Sequence, residues 1–372
     1  MVIFWTLVIL SIISFIQYHL FKRFVLRHVH YERKFKQDAV FANEPCQLIE
    51  KIENRKRLLI PWLYVESLLD AHLTFGKQEN LFVSSGTVYQ NHASFFVLKG
   101  YNRITRTHRL IPIKRGVYYL QSVTLTSGDL LGFAKQVQHR QLHDQKPLIV
   151  YPDPQLPSYH MTNDDFSLGD TVVKRFMMPD PFMTAGIRQY VPGDAFKHIN
   201  WQATARTHSL QVNQYDYTSN KKLMVLINCE DNENMWKTVT NTDTIEQLIR
   251  YAAGITKAAL EQGYEAGIAT NMHAIDSSQP AVIHPIGGQS FWFVILEHLA
   301  RLKIERAISF NALLESFVYD YTEPTVFIVL SCYWSEEQRM IAQQLIAKQH
   351  QLQVVSLADH YSSKLENEGA KR

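Results

Sequence analysis

Cysteine is scarce in this chain. Cys46, Cys229 and Cys332 are the only three in 372 residues, an odd count with wide spacing and no CxxC pair. That argues against a disulfide scaffold or a cysteine zinc site. It fits a reducing compartment, with buried structural thiols as the simplest role. The familiar catalytic sets are also missing: there is no nucleophile elbow, no HExxH pair and no kinase signature. His198 and His208 lack the spacing of metal ligands. Net charge is small, at +3, and gives no argument for nucleic acid. Formal charge is absent altogether from residues 1–21, where only Gln17 and His19 are strongly polar. What is present is the composition of a folded protein, 46% hydrophobic and 20% charged, with length enough for two domains.

The uncharged stretch at 1–21 is close to the ~20 apolar residues needed to cross a bilayer. Trp5 and Tyr18 stand near its two ends, as interfacial aromatics do. No basic n-region precedes it and Gln17 to Phe21 is bulky throughout, so it reads as a membrane helix and not a cleaved signal. Lys22, Arg23, Arg27, Arg33, Lys34 and Lys36 follow, against Glu32 alone. Segment 22–41 therefore reads as a basic juxtamembrane stretch that sets topology, with the bulk of the chain cytoplasmic. The expected location is the cell membrane, crossed once.

Residues 42–150 turn to short runs rich in β-branched and aromatic residues, such as Leu73 to Phe75, Ser94 to Lys99 and His108 to Ile113, separated by glycine turns. This spacing predicts an antiparallel β-sandwich. Arg103, Arg106, Arg109, Lys114 and Arg115 read as a solvated sheet face, since no aromatic-interleaved RNA motif accompanies them. Tyr151-Pro152-Asp153-Pro154 opens a connector that runs to residue 221.

From Lys222 the pattern changes. Lys222 to Asn228 and Thr325 to Ser331 are continuous apolar runs, as for strands buried on both faces. Thr244 to Glu261 and Phe291 to Leu302 have helical spacing, and Ser335 with Gln338 opens a further helix. Thr244 with Gln247 and Ser335 with Gln338 form capping-box patterns. Residues 222–372 thus predict a doubly wound α/β domain. Ligands of such sheets bind at the carboxyl ends of the strands. Asn228, Glu230, Asp231 and Asn232, then Gly287-Gly288 with Ser290, then Ser331 are placed there by this reading. Glu230 and Asp231 carry oxygen ligands for a divalent ion, or else form a solvated loop. Ser290 reads as a helix N-cap.

Between the two halves lies Ile187 to Arg206, IRQYVPGDAFKHINWQATAR. Val191 to Asp194 suits a tight turn, with Asp194 capping a short helical turn through His198. Trp201 offers an apolar anchor, and Arg188 and Arg206 offer two-pronged bonds to carboxylates or carbonyls. The segment reads as a domain junction held by such contacts, or alternatively as arginines presented to a partner or an anion.

The order of these parts resembles the bacterial domain of unknown function 58 family, membrane-anchored proteins with a von Willebrand factor type A-like C-terminal domain. Arg188, Tyr190, Pro192, Gly193, Asp194, Ile199, Trp201, Ala205 and Arg206 fall on the family motif, with Asn200 where aspartate is more usual. Gly128-Asp129-Leu130-Leu131-Gly132-Phe133 and Val150-Tyr151-Pro152 add to the match. Metal-binding members of the type A fold carry D-x-S-x-S at the end of the first strand. Here Asn228, Glu230 and Asn232 stand instead, with Ser290 and Ser331 at later loops, so the resemblance implies a degenerate site with no metal and no cofactor. It further implies a non-catalytic adaptor working with a MoxR-type AAA+ ATPase and a transglutaminase-like membrane protein. The competing expectation is a metal- or anion-dependent binding protein or enzyme using the strand-end loops.

Overall fold

The computed structural model describes residues 2–76, 82–86, 88–142, 146–157, 184–191, 196, 199–215, 222–232, 239 and 241–356. The chain divides into two compact units, Met1–Asp153 and Pro154–Arg372.

The first unit opens with α1 (Val2–Phe24), whose segment Ile3–Phe24 is long and apolar enough to cross a membrane. Its side chains stand exposed along most of that length, while Phe21 and the following Val25 and Leu26 are buried in the unit's core. Among the described residues twelve strands follow: β1 (Val29–Phe35), β2 (Ala39–Phe41), β3 (Cys46–Asn54), β4 (Ile60–Asp70), β5 (Leu73–Phe75), β6 (Phe82–Ser85), β7 (Tyr89–Leu98), β8 (Arg103–Pro112), β9 (Gly116–Tyr118), β10 (Ser122–Gly128), β11 (Lys135–Gln141) and β12 (Leu148–Tyr151). They form a four-stranded antiparallel sheet, β1-β3-β8-β5, a five-stranded one, β11-β10-β4-β7-β6, and a small mixed sheet, β2-β12-β9. Strands put alternate residues on opposite faces. In β3 this buries Cys46, Leu48, Glu50, Ile52 and Asn54 and leaves their neighbours half-exposed.

The same alternation corrects the juxtamembrane reading of 22–41. Only Lys22, Arg23 and Arg27 stay beside the helix end, because Val29–Phe35 is a core strand. Its inward positions are 29, 31, 33 and 35, so Arg33 is 2% exposed and cannot meet lipid headgroups. Its Nη1 donates to Ser67 Oγ on β4, which joins the two larger sheets. Beside it the Tyr31 hydroxyl donates to Glu50 Oε1 at 2.8 Å, and His108 Nε2 lies 3.3 Å from Glu50 Oε2. Burial pushes the Glu50 carboxyl up, but the His108 bond, the Arg33 charge and the Tyr31 hydroxyl outweigh it and bring its pKa to about 2. Arg106, expected on a solvated face, is half-buried, donates to Ser94 Oγ at 3.2 Å and lies over the Phe96 ring.

The second unit begins, among the described residues, with β13 (Thr184–Gln189), α2 (Trp201–Thr207) and β14 (Gln211–Tyr215). Then come β15 (Lys222–Ile227), α3 (Thr242–Glu261), β16 (Glu265–Ala274), β17 (Pro280–Ile286), α4 (Phe291–Arg301), β18 (Leu302–Arg306), α5 (Phe310–Asp320), β19 (Thr325–Ser331), α6 (Glu336–Ala347) and β20 (Gln351–Ser356). The main sheet runs β17-β16-β15-β19-β20, with β16, β15, β19 and β20 parallel and β17 antiparallel at the edge. Met224, Leu226, Phe327 and Val329 pack against Phe310, Leu314 and Phe317 of α5 and Ile341 and Leu345 of α6. Each such buried side chain is worth roughly 1.5–3 kcal/mol. The alternate residues Leu223, Val225 and Ile227 face the other way, and α3 packs on β15 and β16.

The Ser335–Gln338 box is present, with both of its bonds at 3.1 Å. The expected Thr244–Gln247 box is not. Helix α3 starts earlier, and Asn241 caps it by accepting from Thr244 N at 3.3 Å. Asparagine ranks above threonine as an N-cap, so the helix extends back to it.

Candidate functional site

The parallel strands β15 and β19 end side by side, Ile227 opposite Leu330, so Asn228 and Ser331 meet at the carboxyl edge of the sheet. Both are fully buried. Asn228 Nδ2 donates to Ser331 Oγ at 2.9 Å and to the Tyr333 carbonyl at 3.3 Å. Its Oδ1 accepts from Glu230 N at 2.9 Å and from Asn271 Nδ2 at 3.3 Å. Asn271 Oδ1 in turn accepts from Cys229 N at 3.0 Å. Main-chain N–H groups only donate, so the Glu230 and Cys229 amides fix which way both asparagine side chains face. The cluster is neutral and internally satisfied.

Glu230 turns away from it. Its Oε1 accepts from Phe310 N at 2.9 Å, at the start of α5, and lies 3.4 Å from Arg306 Nη1. Its Oε2 accepts from Gln338 Nε2 at 3.4 Å. The carboxylate thus faces an arginine and the positive end of a helix dipole, a setting that stabilises the anion. Asp231 takes a bond from Asn232 Nδ2 at 2.7 Å. Among the described residues no group of three or more His, Cys, Asp or Glu side chains converges as a metal site. The donor set does not fit a cation, since an amide N–H occupies the place of the leading carboxylate oxygen and Glu230 is turned onto Arg306 and α5. The neighbouring thiols are held protonated. Burial and the Glu230 charge push Cys229 up to about 12, and burial with Asp231 does the same for Cys332.

Ser290 belongs elsewhere. Strand β17 runs antiparallel to β16, with Ile286 opposite Ala266, so its carboxyl end lies at the amino end of the parallel strands. A Cβ on Gly287 would touch the Glu265 side chain there. The expected grouping of Ser290 with Glu230 and Asp231 therefore fails on strand direction. Ser290 stands at the head of α4, where its side chain makes no capping bond.

The central segment folds as a small module. Strands β13 and β14 pair antiparallel, Gln189 opposite Gln211, and Ile199 bridges to Val212. Tyr190 N donates to Leu210 O at 2.9 Å and Asn200 N to Gln211 O at 2.8 Å. Asn200 then caps α2, its side chain accepting from Ala203 N at 2.9 Å. Asparagine and aspartate cap equally well, so the departure from aspartate keeps the helix start intact. Arg188 Nη1 donates to the Gln189 carbonyl at 3.2 Å. No residue of α2 is buried, so Trp201 is 68% exposed where an apolar anchor was expected, and Arg206 is exposed in the last turn. Phe196 is exposed as well, with its ring stacked 6.0 Å from that of Tyr190. Pro192, Gly193 and Asp194 lie outside the described residues, and with them the expected Asp194 cap.

The fold and these sites define a two-unit protein headed by an apolar helix, with a β-rich first unit and a second unit whose strand-end carboxylate is engaged internally. The family model described as "Protein of unknown function DUF58" matches residues 186–372, from β13 onward. The chain belongs to that family. A curated relative, "Uncharacterized protein YeaD" of Bacillus subtilis (strain 168), is 26% identical over 167 residues, 45% of this chain and 39% of that protein. The chain thus matches well under half the length of that relative. Among solved structures, the CARDB domain of a Pyrococcus furiosus protein is 16% identical, covering 33% of this chain and 91% of that one, with a TM-score of 0.20. An Escherichia coli alpha-2-macroglobulin fragment is 12% identical, covering 33% and 23%, with a TM-score of 0.24. Likenesses this small define no shared fold.

Proposed function

We propose that this chain is a membrane-anchored, non-catalytic interaction protein that works with a MoxR-type AAA+ ATPase, in company with a transglutaminase-like membrane protein. Its second unit is a doubly wound, von Willebrand factor type A-like domain, used as a binding platform without a metal, and its bulk lies on the cytoplasmic side. The carrying observation is the exposure of Trp201 on a capped helix that buries none of its residues. Tryptophan and arginine are the residues that most often dominate protein interfaces, and Arg206 lies on the same short helix. The strand ends supply the complementary argument: the side chains that a metal-dependent activity would draw on are engaged within the fold, Asn228 with Ser331 and Glu230 with Phe310 N and Arg306.

Affinity purification of the full chain in mild detergent, read by mass spectrometry, tests this reading. An AAA+ ATPase is recovered with the parent chain and lost with Trp201→Ala or Arg206→Ala, while thermal melting is unchanged. Equal recovery with all three chains rejects the assignment to this helix. A rise in melting temperature on adding calcium or magnesium, abolished by Glu230→Gln, would favour the metal-dependent alternative instead.

A further inference from the structure

The hairpin between β10 and β11 carries a loop, Asp129 to Ala134, that presents three large apolar side chains outward. Leu130 is 65% exposed, Leu131 55% and Phe133 70%. The loop is held rigidly in that posture. Asp129 N donates to Ala134 O at 3.2 Å, and Ala134 N returns a bond to Asp129 Oδ1 at 2.8 Å. Trp62 Nε1 donates to the Asp129 carbonyl at 2.9 Å. Gly128 has no room for a side chain, since a Cβ would stand 1.9 Å from Ala134 O, and Gly132 takes a φ of +80°. A closed, clamped loop that leaves leucines and a phenylalanine in water calls for something to cover them.

Its position says what covers them. Gln17 Nε2 donates to Asp129 Oδ2 at 3.4 Å, and Gln136 Oε1, just past the loop, accepts from Leu26 N at 3.2 Å. The loop base therefore sits against α1 at Gln17, inside the apolar segment Ile3–Phe24. At 1.5 Å per residue, Gln17 lies roughly 7 Å deeper along the helix than Lys22, the first basic residue. The turns at this end of the unit also face the helix exit: Lys56 Nζ donates to Val25 O at 2.8 Å and Arg55 N to His28 O at 3.0 Å. Basic groups thus lie at the level of the headgroups and the apolar loop lies below them.

We infer that the loop inserts Leu130, Leu131 and Phe133 into the bilayer leaflet beside α1, seating the first unit on the membrane at two points. The inference rests on α1 being a membrane span. A depth of about 5–10 Å is that of interfacial apolar segments, at the boundary of headgroups and acyl chains.

Spin labels on the full chain, reconstituted in vesicles of phosphatidylethanolamine and phosphatidylglycerol, test it. Labels are placed by L131C and F133C in the loop, I9C in α1, and V88C at the far end of β4 and β7, where Val88 is 57% exposed. The labelled parent gives the background from the native thiols. The expected result is an oxygen-to-nickel-chelate accessibility ratio severalfold higher at 131 and 133 than at 88, approaching that at 9. Ratios at 131 and 133 equal to that at 88, with 9 in lipid, overturn the loop insertion alone. A water-exposed label at 9 overturns the membrane span and the insertion together.

Discussion

Asn228 and Ser331 end two adjacent parallel strands and are joined by a hydrogen bond from Nδ2 to Oγ of 2.9 Å. A carboxylate at position 228 would keep the bond from Glu230 N but set an oxygen against the Tyr333 carbonyl, 3.3 Å away. Asn228→Asp therefore destabilises the fold by about 2 kcal/mol through a buried charge beside a buried acceptor. Chemical denaturation checks this, and an unchanged midpoint would refute the assigned bonding.

Glu230 is 7% exposed and holds Phe310 N, Gln338 Nε2 and Arg306. Glu230→Ala strands all three partners and costs about 3 kcal/mol. Glu230→Gln keeps an acceptor for Phe310 N and costs less. The difference between the two, measured by denaturation, separates the helix-capping role from simple packing.

The His92 ring is buried, finds no hydrogen-bond partner among the described residues and lies against Phe75, tilted by 38° with ring centroids 3.8 Å apart. Burial first, then the charges of Arg33 and His108, lowers its pKa to about 3. A base with a depressed folded pKa gives stability that is complete above its unfolded value and is lost as pH falls toward the folded one. For His92 that window runs from about 6.5 down to about 3. Glu50 adds a second window, from about 4.5 down to about 2. His92→Leu is thus close to neutral at pH 8 and increasingly stabilising toward pH 5, by roughly 1.4 kcal/mol per pH unit at most. Melting curves of both chains across that range measure the slope.

Asn200→Ala removes the cap of α2 and costs that short helix about 1 kcal/mol. The effect on the global melting temperature is small, because α2 buries no side chain. Partner recovery falls as for Trp201→Ala if the helix presents the interface.

How much of this was legible in the sequence depends on the range of each contact. Runs such as Lys222 to Ile227 and Thr325 to Ser331 announced buried strands, and the Ser335–Gln338 pair announced a helix start, because those signals are local. Strand β1 was hidden: its alternation puts Arg33 inward, and a basic residue after an apolar helix reads as a topology signal. Helix α5 carries a local signal of the same kind, with Phe310, Leu313, Leu314 and Phe317 at helical spacing behind Ser309. At the strand ends Asn228 and Glu230 are marked by the polar run that follows an apolar strand, whereas Asn271, Arg306 and Gln338 carry no such mark. They lie 43, 76 and 108 positions away from the groups they bond, and no periodicity encodes such pairings. The place of Ser290 at the opposite end of the sheet is not legible, because spacing carries no strand direction.

Between Phe24, where α1 ends, and Val29, where β1 begins, there are only four residues, and Val25 and Leu26 are buried in the core. The first unit therefore has almost no tether. With α1 in a bilayer it cannot roam a hemisphere of solution as a domain on a long flexible linker would. Its encounters are confined to a thin layer, and its orientation toward the surface is preset. A partner lodged in the same membrane would meet it by lateral diffusion at a high effective concentration. A partner from solution would have to approach edge-on.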